Sequence, residues 1–379
     1  HDCGVGVRIG ANFAGGRVPA VTRCGRNVDN SFVVFAFRNP LFKPPTVLHI
    51  SETRPITPDH KKAPVLVRVP VQLLTPDTKV KRNETKRNTI LLVQERAPRL
   101  QRVTVDASGA VRVSTDVGIR PPTYSAEARI VWTGRTLWSL GADTGDERKV
   151  EQLVNGQWLT GTNTNEGRYW AGTGYLPNDG LLFACGCGYG DSSRSCEFRN
   201  VTNNNDGAAW QTRPLPQGWC FKWIASVVYK DNIYVSGGAD CSGTLTNRMV
   251  RYDQGTDKWT SLRAMATRMW GHAMVVDGET IVACGGYDGS GRLSTCERYH
   301  PSNNSWSPMA DMPLPLVIHH MFALPDGRLV VIGGVTNGGN NNQVFVWSNG
   351  GWTTAATTID NRDDHGLISA VLVPSDVLL

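Results

Sequence analysis

Nowhere in the chain do about 18 apolar residues run together, so the sequence offers no candidate membrane-spanning helix. Helix-turn-helix spacing, zinc-ligand spacing and an aromatic-basic RNA motif are missing too, which argues against nucleic acid as a partner. Tryptophan is absent from the first third: all 12 lie at or beyond Trp132. Acid is scarce in the same region, where residues 1–125 carry 20 Lys+Arg against 9 Asp+Glu. The remainder reverses that balance, with 19 basic against 24 acidic residues. Two regions of different chemistry therefore share one chain of 379 residues.

What is abundant is glycine, 40 residues, with 21 prolines, as all-β chains with many turns require. From about Arg129 onward a unit recurs: an apolar strand, a polar turn, a second apolar strand ending in small residues, a third strand with an aromatic, and a tryptophan on a fourth. The clearest copy places Gly285-Gly286, Tyr299 and Trp306 in that order; its neighbours place Gly237-Gly238, Tyr252 and Trp259, then Gly333-Gly334, Trp347 and Trp352. Weaker copies pair Gly186 with Trp210 and Gly141 with Trp158. The marker glycines stand at 141, 186, 237, 285 and 333, a period of 45 to 51 residues. A four-stranded sheet cannot bury both of its faces alone, so such units must stack.

The di-glycine, the aromatic and the later tryptophan at this period resemble the Kelch repeat, and so imply one propeller blade each. Five markers give five blades. A sixth is expected from both chain ends: residues 365–379 would supply a first strand and the beginning of a second, and residues 100–115 the third and fourth. The expected fold is thus an all-β, six-bladed Kelch-type propeller over residues 100–379, with seven blades the alternative if residues 30–95 supply another. Residues 1–99 would form a basic, β-rich N-terminal extension, with strands at 32–37, 65–69 and 90–93. Its basic stretch of Lys79, Lys81, Arg82, Lys86 and Arg87 suits an acidic neighbour, an anionic polysaccharide or self-association against the acidic ring.

Nine cysteines in spaced positions point to an oxidising compartment, and a chain opening at His1-Asp2-Cys3 reads as a mature secreted product. Cys185 and Cys284 hold one position of the repeat, and Cys196 and Cys296 another on the neighbouring strand, so Cys185–Cys196 and Cys284–Cys296 are expected to pair. Cys3 is expected to join Cys24, and Cys220 to join Cys241, leaving Cys187 free or bonded to another chain. Asn83, Asn200 and Asn303 lie in glycosylation sequons, in a number that so Asn-rich a chain gives by chance.

The propeller also resembles, distantly, those of galactose oxidase and glyoxal oxidase. That resemblance implies copper at the central face, held by a cross-linked Tyr–Cys pair, another Tyr and two His, some of them just before a first strand. The corresponding places here hold Trp170, Lys222, Trp270 and Ile318, with His319 the one ligand type and Cys220 unaligned beside it. No metal and no cofactor is therefore expected, and a copper-radical oxidase, or a degenerate relative of one, is the alternative to a binding protein. The same connections carry Arg168, Trp170, Trp219, Lys222, Arg268, Trp270, His319 and His365, with Tyr169, Trp223, His320 and Arg362 beside them. These residues are expected to ring one mouth of the central channel. Aromatic faces beside cationic donors suit sugars and acidic sugars. The expectation is a secreted, non-enzymatic protein that binds a glycan or protein partner or assembles into a matrix or filament.

Overall fold

The structure is a computed structural model. It describes residues 24–26, 32–35, 47–50, 88–94, 100–106, 108–114, 128–141, 147–168, 170–186, 195–202, 208–216, 219–220, 222–240, 242–360 and 368–374. Two compact units divide the chain, His1–Lys79 and Val80–Leu379. In the first, three short strands, Cys24–Arg26, Phe32–Phe35 and Val47–Ile50, form an antiparallel sheet in which Cys24 faces Val34 and Phe32 faces Ile50. The strand expected at 65–69 and the basic stretch from Lys79 to Arg87 lie outside the described residues.

The second unit is a six-bladed propeller, and no helix occurs among its described residues. Blade 1 runs from Arg129–Trp132 at the axis through Leu137–Leu140 and Val150–Val154 to Gln157–Thr160 at the rim. Blades 2 to 5 repeat this pattern with inner strands Gly172–Leu176, Ala225–Tyr229, Ala273–Asp277 and Val317–Ala323. In blade 6 the inner strand is Ile368–Pro374, followed outward by Asn88–Gln94, Gln101–Val105 and Val111–Ser114. The six inner strands touch in order around the axis, and Ile368–Pro374 meets Arg129–Trp132 to close the ring.

Closure by strands from both sides of the repeats is what the sequence implies, but the division differs. One strand comes from the C-terminal side and three from the N-terminal side, whereas two and two were expected. The strand at 90–93, assigned by the sequence to the extension, sits second from the axis. Burial explains why. Ile90 and Leu92 pack against Val330, Ile332 and Val344 of blade 5, while Leu91 and Val93 pack against Ile130 and Leu137 of blade 1. Successive side chains of a strand point to opposite faces. An unbroken apolar run therefore belongs between two neighbours, which blades 5 and 1 provide here.

Each of the six blade interfaces has its own apolar cluster. The marker aromatics fill the outer half of these layers. Tyr252 lies 5.1 Å from Trp259, Tyr299 5.1 Å from Trp306, and Trp347 5.3 Å from Trp352, centroid to centroid. The indole N–H also reaches across: Trp210 donates to the Thr162 carbonyl at 2.8 Å, Trp306 to Arg263 at 2.8 Å and Trp352 to Ala310 at 2.9 Å. An apolar body and one satisfied polar tip make tryptophan suited to this half-buried place.

The marker glycines are demanded by the packing. A Cβ on Gly141 would stand 2.2 Å from the Arg168 carbonyl oxygen, and one on Gly237 or Gly285 would stand 2.6 Å from the carbonyl of Met269 or Leu316. Each of these glycines also has positive φ. Only a residue without Cβ meets both conditions.

Candidate functional site

The connection leading into each inner strand shares a face with the loop between strands two and three. Backbone pairing shows this directly: Trp270 exchanges N–H···O bonds with Tyr287 at 2.9 and 3.1 Å, and Lys222 does so with Ala239 at 2.8 and 3.0 Å. At this face the chain turns through positive φ at one equivalent position in four consecutive blades, occupied by Trp170 (51°), Trp223 (57°), Gly271 (66°) and Ile318 (62°). The Gly271 N–H points to the Trp223 carbonyl at 3.5 Å, and the Ile318 N–H to the Gly271 carbonyl at 2.7 Å. These links join the entrances of blades 3, 4 and 5. Left-handed backbone at tryptophan and at a β-branched residue costs energy, on the order of 1 kcal/mol or more each. The equivalence corrects the alignment by one residue: Trp223 and Gly271, not Lys222 and Trp270, stand where Trp170 and Ile318 stand.

Around these turns the aromatic rings gather. Trp270 is central, with Trp223 at 5.5 Å, Tyr287 at 6.1 Å and Trp170 at 6.3 Å. Trp170 is buried, and the Arg129 guanidinium lies 5.5 Å from its ring. Trp223, Trp270 and Tyr287 keep part of their surface exposed. Close by, Lys222, Arg248 and Arg268 make no ion pair among the described residues. Arg248 and Arg268 are exposed and flank one backbone link, since the Met269 N–H donates to the Thr246 carbonyl.

The carboxylates of this face are largely occupied by their own turns. Asp240 accepts from Ser242 Oγ, Ser242 N and Thr244 N at 2.6, 2.8 and 3.0 Å, although Arg248 also acts on its charge. Asp288 accepts from Ser290 Oγ, Ser290 N and Gly291 N, and these bonds hold its pKa down to about 2. Such short Asx turns occupy these two carboxylates from within their own loops.

The expected mouth residues therefore separate. Trp170 and Trp270 come together, and Lys222 and Arg268 lie on the same face. Arg168 does not face the channel: its side chain is fully enclosed, ion-paired with Glu166 and Glu197 at 3.3 Å each and donating to Gly186 O, Ser195 O and Ser195 Oγ. It fastens the two ends of a loop, because its structural equivalents are the buried Met269 and Leu316. Trp219 joins a different pair, 6.2 Å from Trp259, with Arg248 5.5 Å from its ring. His319 is buried between blades 4 and 5. His365, Tyr169 and Arg362 lie outside the described residues. Tyr287, Arg248 and Arg129 were not anticipated; the first two follow a glycine pair on the loop sharing this face, and that is the signal in the sequence.

Cys185 is bonded to Cys196 and Cys284 to Cys296, each pair directly opposed across strands two and three. Cys220 is also in a disulfide; Cys241 and Cys187 lie outside the described residues, as does Cys3, and only the backbone of Cys24 is described. Asn200, at the end of the strand Ser195–Asn200, and Asn303, in a turn, are exposed, and each Oδ1 accepts from its sequon hydroxyl, at 2.6 Å from Thr202 and 2.7 Å from Ser305; Asn83 lies outside the described residues.

Comparison with known proteins agrees with this geometry. Residues 271–313, which hold Trp306, the Gly285-Gly286 pair and the inner strand of blade 4, match the Kelch motif. Blade 4 of this six-bladed propeller therefore carries a Kelch motif. The chain is 34% identical over 122 residues to Kelch-like protein 6 of Homo sapiens, covering 31% of this chain and 18% of that protein. Beta-scruin of Limulus polyphemus is 35% identical over 156 residues, 36% of this chain and 16% of the relative. Kelch-like protein 35 of Mus musculus is 34% identical over 134 residues, 35% and 22% respectively. The matched part of the chain thus spans about a fifth of the length of these relatives. Among solved structures, that of YjhT superimposes with a TM-score of 0.55 at 15% identity, covering 64% of this chain and 87% of the other, a likeness of fold.

Proposed function

We propose that the Kelch propeller is a non-enzymatic binding module of an extracellular, oxidising compartment, and that it takes an anionic partner, an acidic glycan or an acidic protein segment, at the mouth of its channel. The observation that carries this reading is the aromatic group of Trp223, Trp270 and Tyr287, partly exposed and adjacent in the chain to Lys222 and Arg268, which make no ion pair among the described residues. Aromatic faces stack on sugar rings or apolar side chains, and guanidinium groups bind carboxylate or sulfate in two-pronged fashion. Disulfides in blades 2 and 4 support the oxidising compartment. The basic N-terminal residues are proposed to add self-association or adhesion, as a matrix or filament subunit requires.

The test applies the whole chain to arrays of neutral, carboxylated and sulfated glycans and of acidic peptides. Binding to anionic probes should fall with salt and drop at least tenfold in Trp270→Ala and Arg268→Ala, with folding unchanged. Failure to bind any anionic probe, or undiminished binding by both variants, sinks the proposal. Copper-dependent peroxide production from alcohols, aldehydes or sugars would replace it with the oxidase reading.

A further inference from the structure

Ser236 and Cys284 hold the same place in consecutive blades. Each ends the second strand, precedes the glycine pair, and faces a third-strand residue across the sheet, Met249 for Ser236 and Cys296 for Cys284. In both cases a histidine from the next blade leans on this place. The Cε1 atom of His272 lies 2.6 Å from where a Cβ on Gly237 would stand, and that of His319 lies 2.6 Å from the same point on Gly285. Both imidazoles are buried.

What the two rings find is different. His272 Nε2 is 2.8 Å from the Ser236 hydroxyl. In the next blade the equivalent side chain is committed to the Cys284–Cys296 disulfide, and among the described residues no side chain partners either ring nitrogen of His319. The Cys284 carbonyl approaches the ring, and the titratable groups bearing on it are His272 and His320, which are of like charge when protonated. A buried polar group left unsatisfied is costly.

We propose that Cys284–Cys296 is the redox-responsive disulfide of the propeller, because its reduction supplies a side-chain partner for His319 like the one that Ser236 gives His272. A dithiol reductant attacks one sulfur of the bond to form a mixed disulfide; its second thiol then closes the reductant's own disulfide. The two electrons and two protons end on Cys284 and Cys296 as thiols. The freed Cys284 Sγ–H turns to the place that Ser236 Oγ occupies one blade earlier and donates to His319 Nε2. Cys185–Cys196 provides an internal comparison. It has the same strand positions and is equally buried, but its neighbour from the next blade is Ile224, which gains nothing when a thiol appears. The glycine pair beside Cys284 leads straight to Tyr287 at the mouth, so the redox state is sensed next to the proposed binding surface.

The experiment equilibrates the whole chain in mixtures of reduced and oxidised dithiothreitol, quenches it, and labels thiols and former disulfides with reagents of different mass. Peptide quantification then gives a midpoint for each bond. Cys284–Cys296 is expected to be half-reduced at about a tenfold lower ratio of reduced to oxidised reagent than Cys185–Cys196, roughly 30 mV. His319→Ile, which copies the Ile224 environment, should erase that gap. Equal midpoints in the unaltered chain overturn the proposal without any variant, and so does a gap that persists in folded His319→Ile.

Discussion

Acid should loosen the propeller well above the pH at which its carboxylates titrate. His272 and His319 sit at the interfaces of blades 3 with 4 and 4 with 5, each 5% exposed. Burial lowers the pKa of His272 from 6.5 to about 4. Burial, with His320 and His272 nearby, lowers that of His319 to about 3. Between those values and 6.5 the unfolded chain binds protons that the folded ring refuses. The stability is therefore fully present above pH 6.5 and is lost as pH falls toward the folded pKa values. Complete loss corresponds to about 3 kcal/mol for His272 and about 5 kcal/mol for His319 at most. Over the step from pH 7.5 to 5 each costs about 2 kcal/mol, roughly 4 together. The partly exposed Asp240, Asp253 and Asp288, whose pKa values are lowered by hydrogen bonds from their own turns, contribute only below this window. Urea unfolding at pH 7.5, 6 and 5 measures the effect, and His319→Ile should remove about half of it. A midpoint unchanged from pH 7.5 to 5, or a full pH dependence in His319→Ile, would refute the reasoning.

Two further perturbations test the packing. Leu92→Ala removes a fully buried side chain from the interface of blades 5 and 6, and should cost about 3 kcal/mol by urea unfolding, while Leu159→Ala, at the 46% exposed rim position, should cost almost nothing. Gly285→Ala places a methyl 2.6 Å from both His319 Cε1 and the Leu316 carbonyl, whereas Gly350→Ala, also at positive φ, meets nothing within 4 Å; thermal unfolding should separate the two by about 2 kcal/mol or more.

The blades with complete markers were readable because their restraints are local and repeated. A glycine pair pressed against a neighbour's carbonyl and a tryptophan reaching across an interface leave the same trace every 45 to 51 residues. Blade 6 carries no such marker. Its strand Asn88–Gln94 shows only an apolar run, which a small sandwich would share, and its partners are supplied from nearly 280 residues away in Ile368–Pro374. Half of the mouth was legible for the same reason. Trp170 and Trp270 precede inner strands at recognisable places, but nothing in the pattern separates Arg168, enclosed with Glu197, from a surface arginine. Buried ion pairs join residues distant in sequence and have no period. Tyr287 was missed through neglect of the loop between strands two and three, whose position the glycine pair already gives.

The order in which the closing blade is made has a consequence for biogenesis. Asn88–Gln94 leaves the ribosome with both faces apolar, and Ile368–Pro374 follows only after five whole blades. Until then two sticky surfaces, one on the early hairpin and one at the open end of blade 5, are available to the wrong neighbours. Cells producing this chain would need to shield a nascent, unclosed horseshoe, and truncation upstream of residue 368 should give insoluble product rather than a smaller ring.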